Sequence, residues 1–367
     1  MRTPILAALV LAAACGDTAA PGFSTGPAIT SVSVSTSGSS TGADTTSTGP
    51  ADDSAGSSAS SSTGAATLDV GTVMDFGPAQ PPGCKGKVDL LFVISRQGTM
   101  GTEQEQLVAS FPGFIETIEQ TLEGFDVHIM TANPDAYWPG WTCQNQTDGC
   151  KNVENWPTCG KDAPDYDCQT FPDMMTPCDE QLGAGLIFNA GGGAANKLCE
   201  LQDGRRYIVS GEPDMQGALE CIAKVGYAGD TALMGDAMIA ALSPTLNGPG
   251  GCNEGFLRKD ALLVVALITD FHDQGKSYAK QQYEAIVAAK GDPSAVVMLA
   301  VVPNAPGEFE PAEDCHYWDE PSFGIFEDLL SRFPYKVFGD TCTPSFAPFF
   351  EQAADKISEA CGSFIPQ

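Results

Sequence analysis

Residues 87–106 read KVDLLFVISRQGTMGTEQEQ. The run from Val88 to Ile94 is rich in Leu, Phe, Val and Ile and lacks surface alternation, so it predicts a strand buried on both faces. The residues that follow it, SRQGT, predict a polar loop. Thr102 lies three residues before Glu105, the spacing of a capping box, which predicts a helix that runs to about Leu122. Strand, loop and helix in this order form the unit of a doubly wound α/β sheet, whose ligands bind at the carboxyl ends of the strands.

The later part of the chain continues this alternation. Apolar runs predict further strands at 125–132, 261–269 and 295–302, with helices between them. Five or six strands that alternate with helices predict an α/β fold with a doubly wound, mainly parallel sheet flanked by helices. We therefore expect one folded domain over residues 83–367.

The strand and loop at 87–99 resemble the first strand and metal-site loop of a von Willebrand factor type A (VWA) domain. More narrowly, the stretch resembles the VWA-like secreted lipoproteins of predatory and soil bacteria (myxobacterial type), which carry long Ser/Thr-rich leaders; the resemblance covers only the domain, roughly three-quarters of the chain. In that family Asp-x-Ser-x-Ser follows the strand and helps to hold a divalent cation. The matching positions here are Ser95, Gln97 and Thr99, so a hydroxyl replaces the charged ligand and an amide replaces a serine. The resemblance therefore implies a degenerate metal site for Mg²⁺ or Ca²⁺, ions that prefer hard oxygen ligands.

The resemblance extends to two further ligand positions. The strand at 261–269 ends in Asp270, which matches the aspartate that the family places at the metal site. Thr231 matches a family threonine, with Tyr227 as the alternative match. The local chemistry leaves other roles open, because Asp270 also suits a turn and Thr231 also suits a helix cap.

The composition limits the classes of partner. Asp and Glu number 47 against 18 Lys and Arg, for a formal net charge of -29. This field repels nucleic acid and anionic lipid headgroups, so we expect no nucleic-acid partner, and contact with a membrane only through a lipid anchor. The 13 cysteines indicate an oxidising compartment.

The amino-terminal segment predicts export. Residues 1–15 contain Arg2, an apolar core and LAAAC, which resembles a bacterial lipobox with Cys15 as the lipidated residue. Gly16 rather than Asp follows Cys15, which resembles outer-membrane sorting, so we expect an outer-membrane or cell-surface lipoprotein. An ordinary cleaved signal peptide is the alternative. Residues 16–82, rich in Ser, Thr and Gly, predict a flexible tether.

A segment at about 134–206 interrupts the α/β pattern and predicts a Cys-rich insertion beside the strand ends. Apart from Cys15, the cysteines are candidates for disulfides, and we expect Cys84 to pair with Cys361, Cys221 with Cys252 and Cys315 with Cys342. The remaining candidates lie in the insertion: Cys143, Cys150, Cys159, Cys168, Cys178 and Cys199. The insertion also offers aromatic side chains that could anchor a partner: Tyr137, Trp138, Trp141 and Trp156.

These features favour a surface-anchored protein whose VWA-like domain binds an extracellular or envelope protein, with no catalytic residues. If a metal binds, Ser95, Thr99, Thr231 and Asp270 are the expected ligands. One alternative is a structural envelope protein without a discrete ligand. The other is a secreted hydrolase that uses Ser95 with His272 and Asp273, although the GxSxG elbow of such enzymes is absent.

Overall fold

The computed structural model describes residues 86–121, 124–138, 171–229, 231–307 and 324–364. The predicted signal segment, Cys15 and the tether lie outside these residues, as do Trp141 and Trp156. Within the described residues, no helix is both long enough and apolar enough to cross a membrane.

A six-stranded sheet forms the centre of the described domain. Its strands are β1 Lys87–Ile94, β2 Asp126–Ala132, β5 Ile208–Val209, β6 Leu262–Ile268, β7 Val296–Val302 and β8 Tyr335–Asp340. A separate two-stranded sheet pairs β3 Phe188–Asn189 with β4 Lys197–Leu198. In the main sheet the order is β5-β2-β1-β6-β7-β8, and the pairs are parallel except for β2 with β5. The predicted fold class, a mainly parallel α/β sheet, is confirmed.

This strand order creates a switch point between β1 and β6. The chain leaves β1 toward β2 on one side and later returns to β6 on the other side of β1. Connections that depart in opposite directions leave a crevice at the carboxyl ends of these two strands. The loops after β1 and β6 meet there.

Helices cover both faces of the sheet. The described helices are α1 Gly101–Thr121, α2 Phe171–Met174, α3 Met215–Ala223, α4 Met234–Ala241, α5 Pro244–Asn247, α6 Ala279–Lys290, α7 Gly324–Ser331 and α8 Ala347–Ser363. Alternate residues of β1 enter two apolar cores: Phe92 packs with α1, α3 and α8, whereas Val93 packs with α4, α6 and α7. Burial on both faces explains why β1, β6 and β7 are continuous apolar runs in the sequence.

The predicted start of the first helix is wrong in detail. Gly101 begins α1, so Thr102 lies inside the helix rather than at its cap. The backbone N–H of Met100 donates to the Gln97 carbonyl at 3.0 Å, and the N–H of Gln104 donates to the Met100 carbonyl at 2.9 Å. The turn through Met100 therefore leads directly into α1 and makes a capping box at Thr102 unnecessary.

The described part of the insertion is attached to the rest of the domain by disulfides. Cys178 bonds to Cys252, and Cys199 bonds to Cys221 in α3. The predicted pairing of Cys221 with Cys252 is therefore wrong, because each of these cysteines, one in α3 and one in the loop between α5 and β6, is bonded to a cysteine of the insertion. Cys342 and Cys361 are also disulfide-bonded. Their predicted partners, Cys315 and Cys84, lie outside the described residues, as do Cys143, Cys150, Cys159 and Cys168.

Candidate functional site

The loop after β1 is joined to the end of β6 at its first residue. The backbone N–H of Ser95 donates to the Ile268 carbonyl at 2.9 Å, which extends the pairing of β1 with β6 by one residue. Ser95 has no exposed surface, and its Oγ accepts a hydrogen bond from the N–H of Gln97 at 3.3 Å. The Ser95 hydroxyl, which the sequence predicted as a metal ligand, is thus part of the loop's own turn.

Arg96 extends from the same loop toward the end of β2. Its guanidinium is fully buried and its Nη2 donates to the Asn133 side chain at 3.1 Å, to the Asp135 carboxylate and to the Tyr137 carbonyl. Among the described residues, Arg96 Nε and Nη1 and Asp135 Oδ2 have no hydrogen-bond partner. This ion pair joins the loops after β1 and β2. Its cation, Arg96, is the single basic side chain of the loop after β1.

A third loop, residues 225–233, packs against the first through a glycine. The N–H of Gly229 donates to the Arg96 carbonyl at 2.7 Å. A Cβ at this position would stand 2.5 Å from Asp135 Oδ2 and 2.9 Å from the Arg96 Cβ, so any larger residue would separate the loops. Thr231 follows two residues later and is half-buried.

Gln274 ties the loop after β6 to both of these loops. Its Oε1 accepts from the Gln97 side-chain amide at 2.8 Å and from the Ala232 N–H at 2.9 Å. Its own N–H donates to the Ala232 carbonyl at 2.8 Å. Three loops from distant parts of the chain are therefore held in a fixed arrangement above the switch point.

Asp270 lies at the carboxyl end of β6 with 8% of its surface exposed. Its N–H donates to the Met100 sulfur at 3.2 Å. Burial raises the pKa of the Asp270 carboxyl, and a hydrogen bond from the Thr99 side chain opposes that rise. Asp270 Oδ1 is buried without a hydrogen-bond partner in the part of the chain that the structure describes. Of the predicted ligands, Thr99 and Asp270 are in contact, while Ser95 lies at the base of the same loop.

Glu103 is a second acidic group near Asp270 that the sequence reasoning missed. It lies in the first turn of α1. Burial raises the pKa of Glu103 to about 7, and the nearby charge of Asp270 adds to the rise. Its Oε2 is also buried without a partner. Glu103 lies three residues after Met100, whose contact with Asp270 joins the start of α1 to the end of β6, a contact that the sequence alone does not show.

The fit of a cation depends on these oxygen atoms. Within the described residues, no three His, Cys, Asp or Glu side chains come together as a metal-ligand group. Mg²⁺ commonly binds through one or two carboxylates and keeps several waters, whereas Ca²⁺ takes six to eight oxygen ligands. The unpartnered Asp270 Oδ1 beside the Thr99 hydroxyl fits the first pattern better than the second.

The geometry does not assemble the Ser-His-Asp set of the hydrolase alternative. Asp273 accepts hydrogen bonds from the N–H groups of Gly235 at 3.1 Å and Gly275 at 2.9 Å. His272 Nδ1 has no hydrogen-bond partner among the residues that the structure describes, and Ser95 is fully buried. A nucleophile needs a base oriented by a third group, and Asp273 is committed elsewhere.

A cleft of about 450 Å³ opens beside the start of α1. Tyr227 and Lys224 line it, together with Gln104 and Glu105 of α1. The Gln104 side chain accepts from the Gly226 N–H at 2.8 Å and so fixes the wall that carries Tyr227. Tyr227, the alternative match for the threonine ligand, thus lies in the cleft wall.

One predicted aromatic anchor is wrong. Trp138 is only 1% exposed, and its ring lies 5.3 Å from that of Phe188. It packs inside the domain because the insertion folds back over it. Tyr137 is half-buried, and its carbonyl accepts from Arg96.

No protein-family model and no curated protein matches this chain. Among solved structures, the chain is similar to two crystal structures of proximal thread matrix protein 1 from the mussel byssus. One has 8% sequence identity and a TM-score of 0.35, with 75% of this chain and 48% of that chain covered. The other has 11% identity and a TM-score of 0.33, with 76% and 47% covered. The chain therefore spans about half the length of these structures.

Proposed function

We propose that the face above the switch point binds an extracellular or envelope protein, in an exported protein anchored to the membrane by a lipid on Cys15. The observation that carries the proposal is the locking of three loops by Gln274 around a buried carboxylate, Asp270, whose Oδ1 has no partner. Rigid surfaces that carry an unsatisfied buried polar group are more common at binding sites than in structural cores.

The charge of the chain narrows the kind of partner. With a formal net charge of -29, the protein attracts basic surfaces and disfavours acidic ones at long range. Thr99 and Gly98 are exposed beside Asp270, so a partner side chain can reach the loop. A Lys or Arg side chain of the partner would pair with the Asp270 carboxylate directly. Alternatively, a bound cation would bridge Asp270 to a carboxylate of the partner.

Capture by the immobilised full chain tests this proposal. Envelope and secreted extracts are passed over the wild type, over Asp270→Asn and over Glu351→Gln, which alters an exposed carboxylate on α8. We expect a protein that the wild type and Glu351→Gln retain and that Asp270→Asn loses by at least about tenfold, as expected when one side of a charged contact is removed. Equal capture by all three, or none by any, contradicts the proposal and favours a structural role without a discrete ligand.

The anchor is tested separately. If Cys15 is lipidated, the wild type partitions with membranes and Cys15→Ser is released in soluble form; unchanged partitioning of the variant would contradict it.

A further inference from the structure

Strand β8 forms one edge of the main sheet. It stands last in the strand order, and within the described residues it pairs with β7 alone, in parallel. The N–H of Thr341 donates to the Val302 carbonyl at 3.3 Å, and alternate residues back along β8 face β7 in the same way. Lys336 and Phe338 lie between these residues, so their N–H and C=O groups point away from the sheet.

The backbone groups of these two residues are open. No described residue donates to or accepts from the backbone of Lys336 or Phe338 on this side. By contrast, the carbonyl of Asp340, the next outward residue, accepts from the Thr343 N–H at 3.2 Å and from its hydroxyl at 2.9 Å. The Lys336 ammonium donates to the Phe333 carbonyl at 3.2 Å, so its charge is directed back along the chain. An uncovered edge of this kind is a template for another strand.

A groove of about 480 Å³ lies beside this edge. One of its walls is a face of α8 that contains Gln352, Asp355 and Lys356. Lys356 Nζ lies 2.5 Å from the Glu359 carboxylate one turn later, whereas Asp355 is exposed, so the wall carries charges of both signs. A wall of mixed charge is complementary to its own copy across a two-fold axis, whereas a wall of one sign would repel its copy.

From this edge and groove we propose that β8 pairs with β8 of a second copy of this chain, antiparallel and about a two-fold axis at Val337. This register places Lys336 of one copy opposite Phe338 of the other, twice, so the open groups of both copies are all used. A register centred on Phe338 would require the occupied carbonyl of Asp340. A register centred on Lys336 would place Phe338 opposite Pro334, which has no N–H.

The two sheets would then form one continuous sheet across the dimer. Strand β8 is the edge of the sheet, while the switch point lies between β1 and β6. The inference therefore does not rest on the proposed function.

Sedimentation equilibrium over a wide range of concentration measures the association. The full chain carries Cys15→Ser, which removes the predicted lipid anchor. The buffer contains physiological salt, because each copy has a formal net charge of -29 and salt screens charge repulsion beyond about 8 Å under these conditions. Phe338→Pro removes an open N–H at an edge position, where proline is tolerated. Lys336→Ala is the control, because it removes an exposed side chain and keeps the backbone groups.

We expect a monomer–dimer equilibrium for the parent chain and for Lys336→Ala. Phe338→Pro should raise the dissociation constant by at least about tenfold, since each copy loses a donor and leaves a carbonyl of the other copy without a partner. Circular dichroism checks that each variant is folded.

Cross-linking tests the register and does not depend on the folding of Phe338→Pro. At the two-fold axis, opposite residues have Cβ atoms about 4.5–5.5 Å apart, close to the separation in a disulfide. Tyr335 would instead lie opposite Gly339 of the other copy. Mild oxidation should therefore give a covalent dimer with Val337→Cys and not with Tyr335→Cys, as identified by mass spectrometry of the linked peptides.

Two results would overturn the inference. One is a parent chain that stays monomeric at every concentration, which would leave the edge to an extended segment of another protein. The other is a dimer in which Val337→Cys cross-links no better than Tyr335→Cys, because the copies would then meet elsewhere. Neither result bears on capture of a partner by the loops after β1 and β6, so this inference and the proposed function fail separately.

Discussion

Two buried carboxylates at opposite ends of the central sheet, Asp89 and Asp270, differ in their partners. At the amino end, Asp89 in β1 is fully buried and accepts hydrogen bonds from Arg258 Nε at 2.7 Å and from the Arg258 N–H at 2.8 Å. Arg258 Nη2 also donates to the carbonyls of Val88 at 3.0 Å and Asp126 at 2.9 Å. Lys290 in turn donates to the Arg258 carbonyl at 2.5 Å. At the carboxyl end, neither Glu103 nor Asp270 forms an ion pair with another side chain of the described residues.

The contrast separates a structural cluster from a candidate site. At the amino end, burial raises the pKa of Asp89 to about 6 and the charge of Arg258 opposes the rise, so the carboxylate is held in place by a partner of opposite charge. At the carboxyl end, the charge of Asp270 adds to the burial that raises the pKa of Glu103. A fold gains nothing from two carboxylates that repel each other, so their placement indicates a requirement other than stability.

The largest effect is expected at the amino end. Asp89→Ala leaves the Arg258 guanidinium beside β1 without its carboxylate, and we expect the free energy of unfolding to fall by about 3–5 kcal/mol, the usual cost of breaking a buried pair. Asp270→Ala should change it by less than about 1 kcal/mol or stabilise the protein, because no ion pair is lost. Urea denaturation at pH 7.5 in EDTA measures both.

Asp260→Ala is the control for the amino end. Asp260 pairs with Lys87 at 2.8 Å, but its side chain is 40% exposed, so its loss should cost less than about 1 kcal/mol. If Asp89→Ala and Asp270→Ala lowered the free energy of unfolding equally, the distinction between the two ends of the sheet would not hold.

The next effect is a change in pH dependence at the carboxyl end. Because the pKa of Glu103 is raised from 4.5 to about 7, the folded protein binds this proton more tightly than the unfolded chain. Without metal, the free energy of unfolding should therefore fall as the pH rises from 4.5 to 7. Glu103→Gln removes this fall and should be more stable than the wild type at pH 7.5 by about 2 kcal/mol, a value reduced for partial solvent screening.

The difference between the two proteins isolates Glu103. Titration of Asp89 also lowers the free energy of unfolding as the pH rises toward 6, in the wild type and in Glu103→Gln alike. The wild-type pH profile alone therefore does not show which carboxyl group is responsible. Urea midpoints in EDTA from pH 4 to pH 8 give both profiles. Parallel pH profiles for the wild type and Glu103→Gln would mean that Glu103 titrates normally. They would weaken the contrast between the carboxylates at the two ends of the sheet.

The smallest effect concerns the loops themselves. Gln274→Ala removes side-chain hydrogen bonds to Gln97 and Ala232 at an exposed position, and we expect a loss of about 1 kcal/mol in stability. The loss of binding free energy in the capture experiment should exceed this loss of stability, because the three loops lose their fixed arrangement. Gln352→Ala on α8 is the control, and similar capture by both variants would contradict a role for the locked loops.

Much of the fold was predictable from local patterns. The apolar runs at 261–269 and 295–302 became β6 and β7 with shifts of one residue at most at each end. Asp270 was predicted at a strand end because the residues before it form a buried strand. These features depend on neighbours in sequence, which a single chain displays directly.

The composition of the site was less predictable. Arg96, Glu103 and Gln274 carry no local signal for their roles, since each acts through residues that the chain brings from afar. The predicted pairing of Cys221 with Cys252 was wrong for the same reason: Cys252 bonds to Cys178, 74 residues away, and many pairings fit the sequence equally well. Trp138 illustrates the reverse error, because an aromatic residue in a loop offers no sign that later residues will cover it.

Periodicity and residue type were sufficient to place the strands, the helices and the loop after β1, because hydrophobic alternation reflects burial on one or both faces of a local element. The pairing of charges was settled by contacts across the fold: Asp89 meets Arg258 over 169 residues, and Asp270 meets Met100 over 170. Packing and topology decide which polar groups lie beside a given charge. They therefore decide whether that charge stabilises the fold or is available to bind a ligand. For this chain that distinction, with Asp89 paired to Arg258 and Asp270 in no ion pair among the described residues, emerges only in the folded protein.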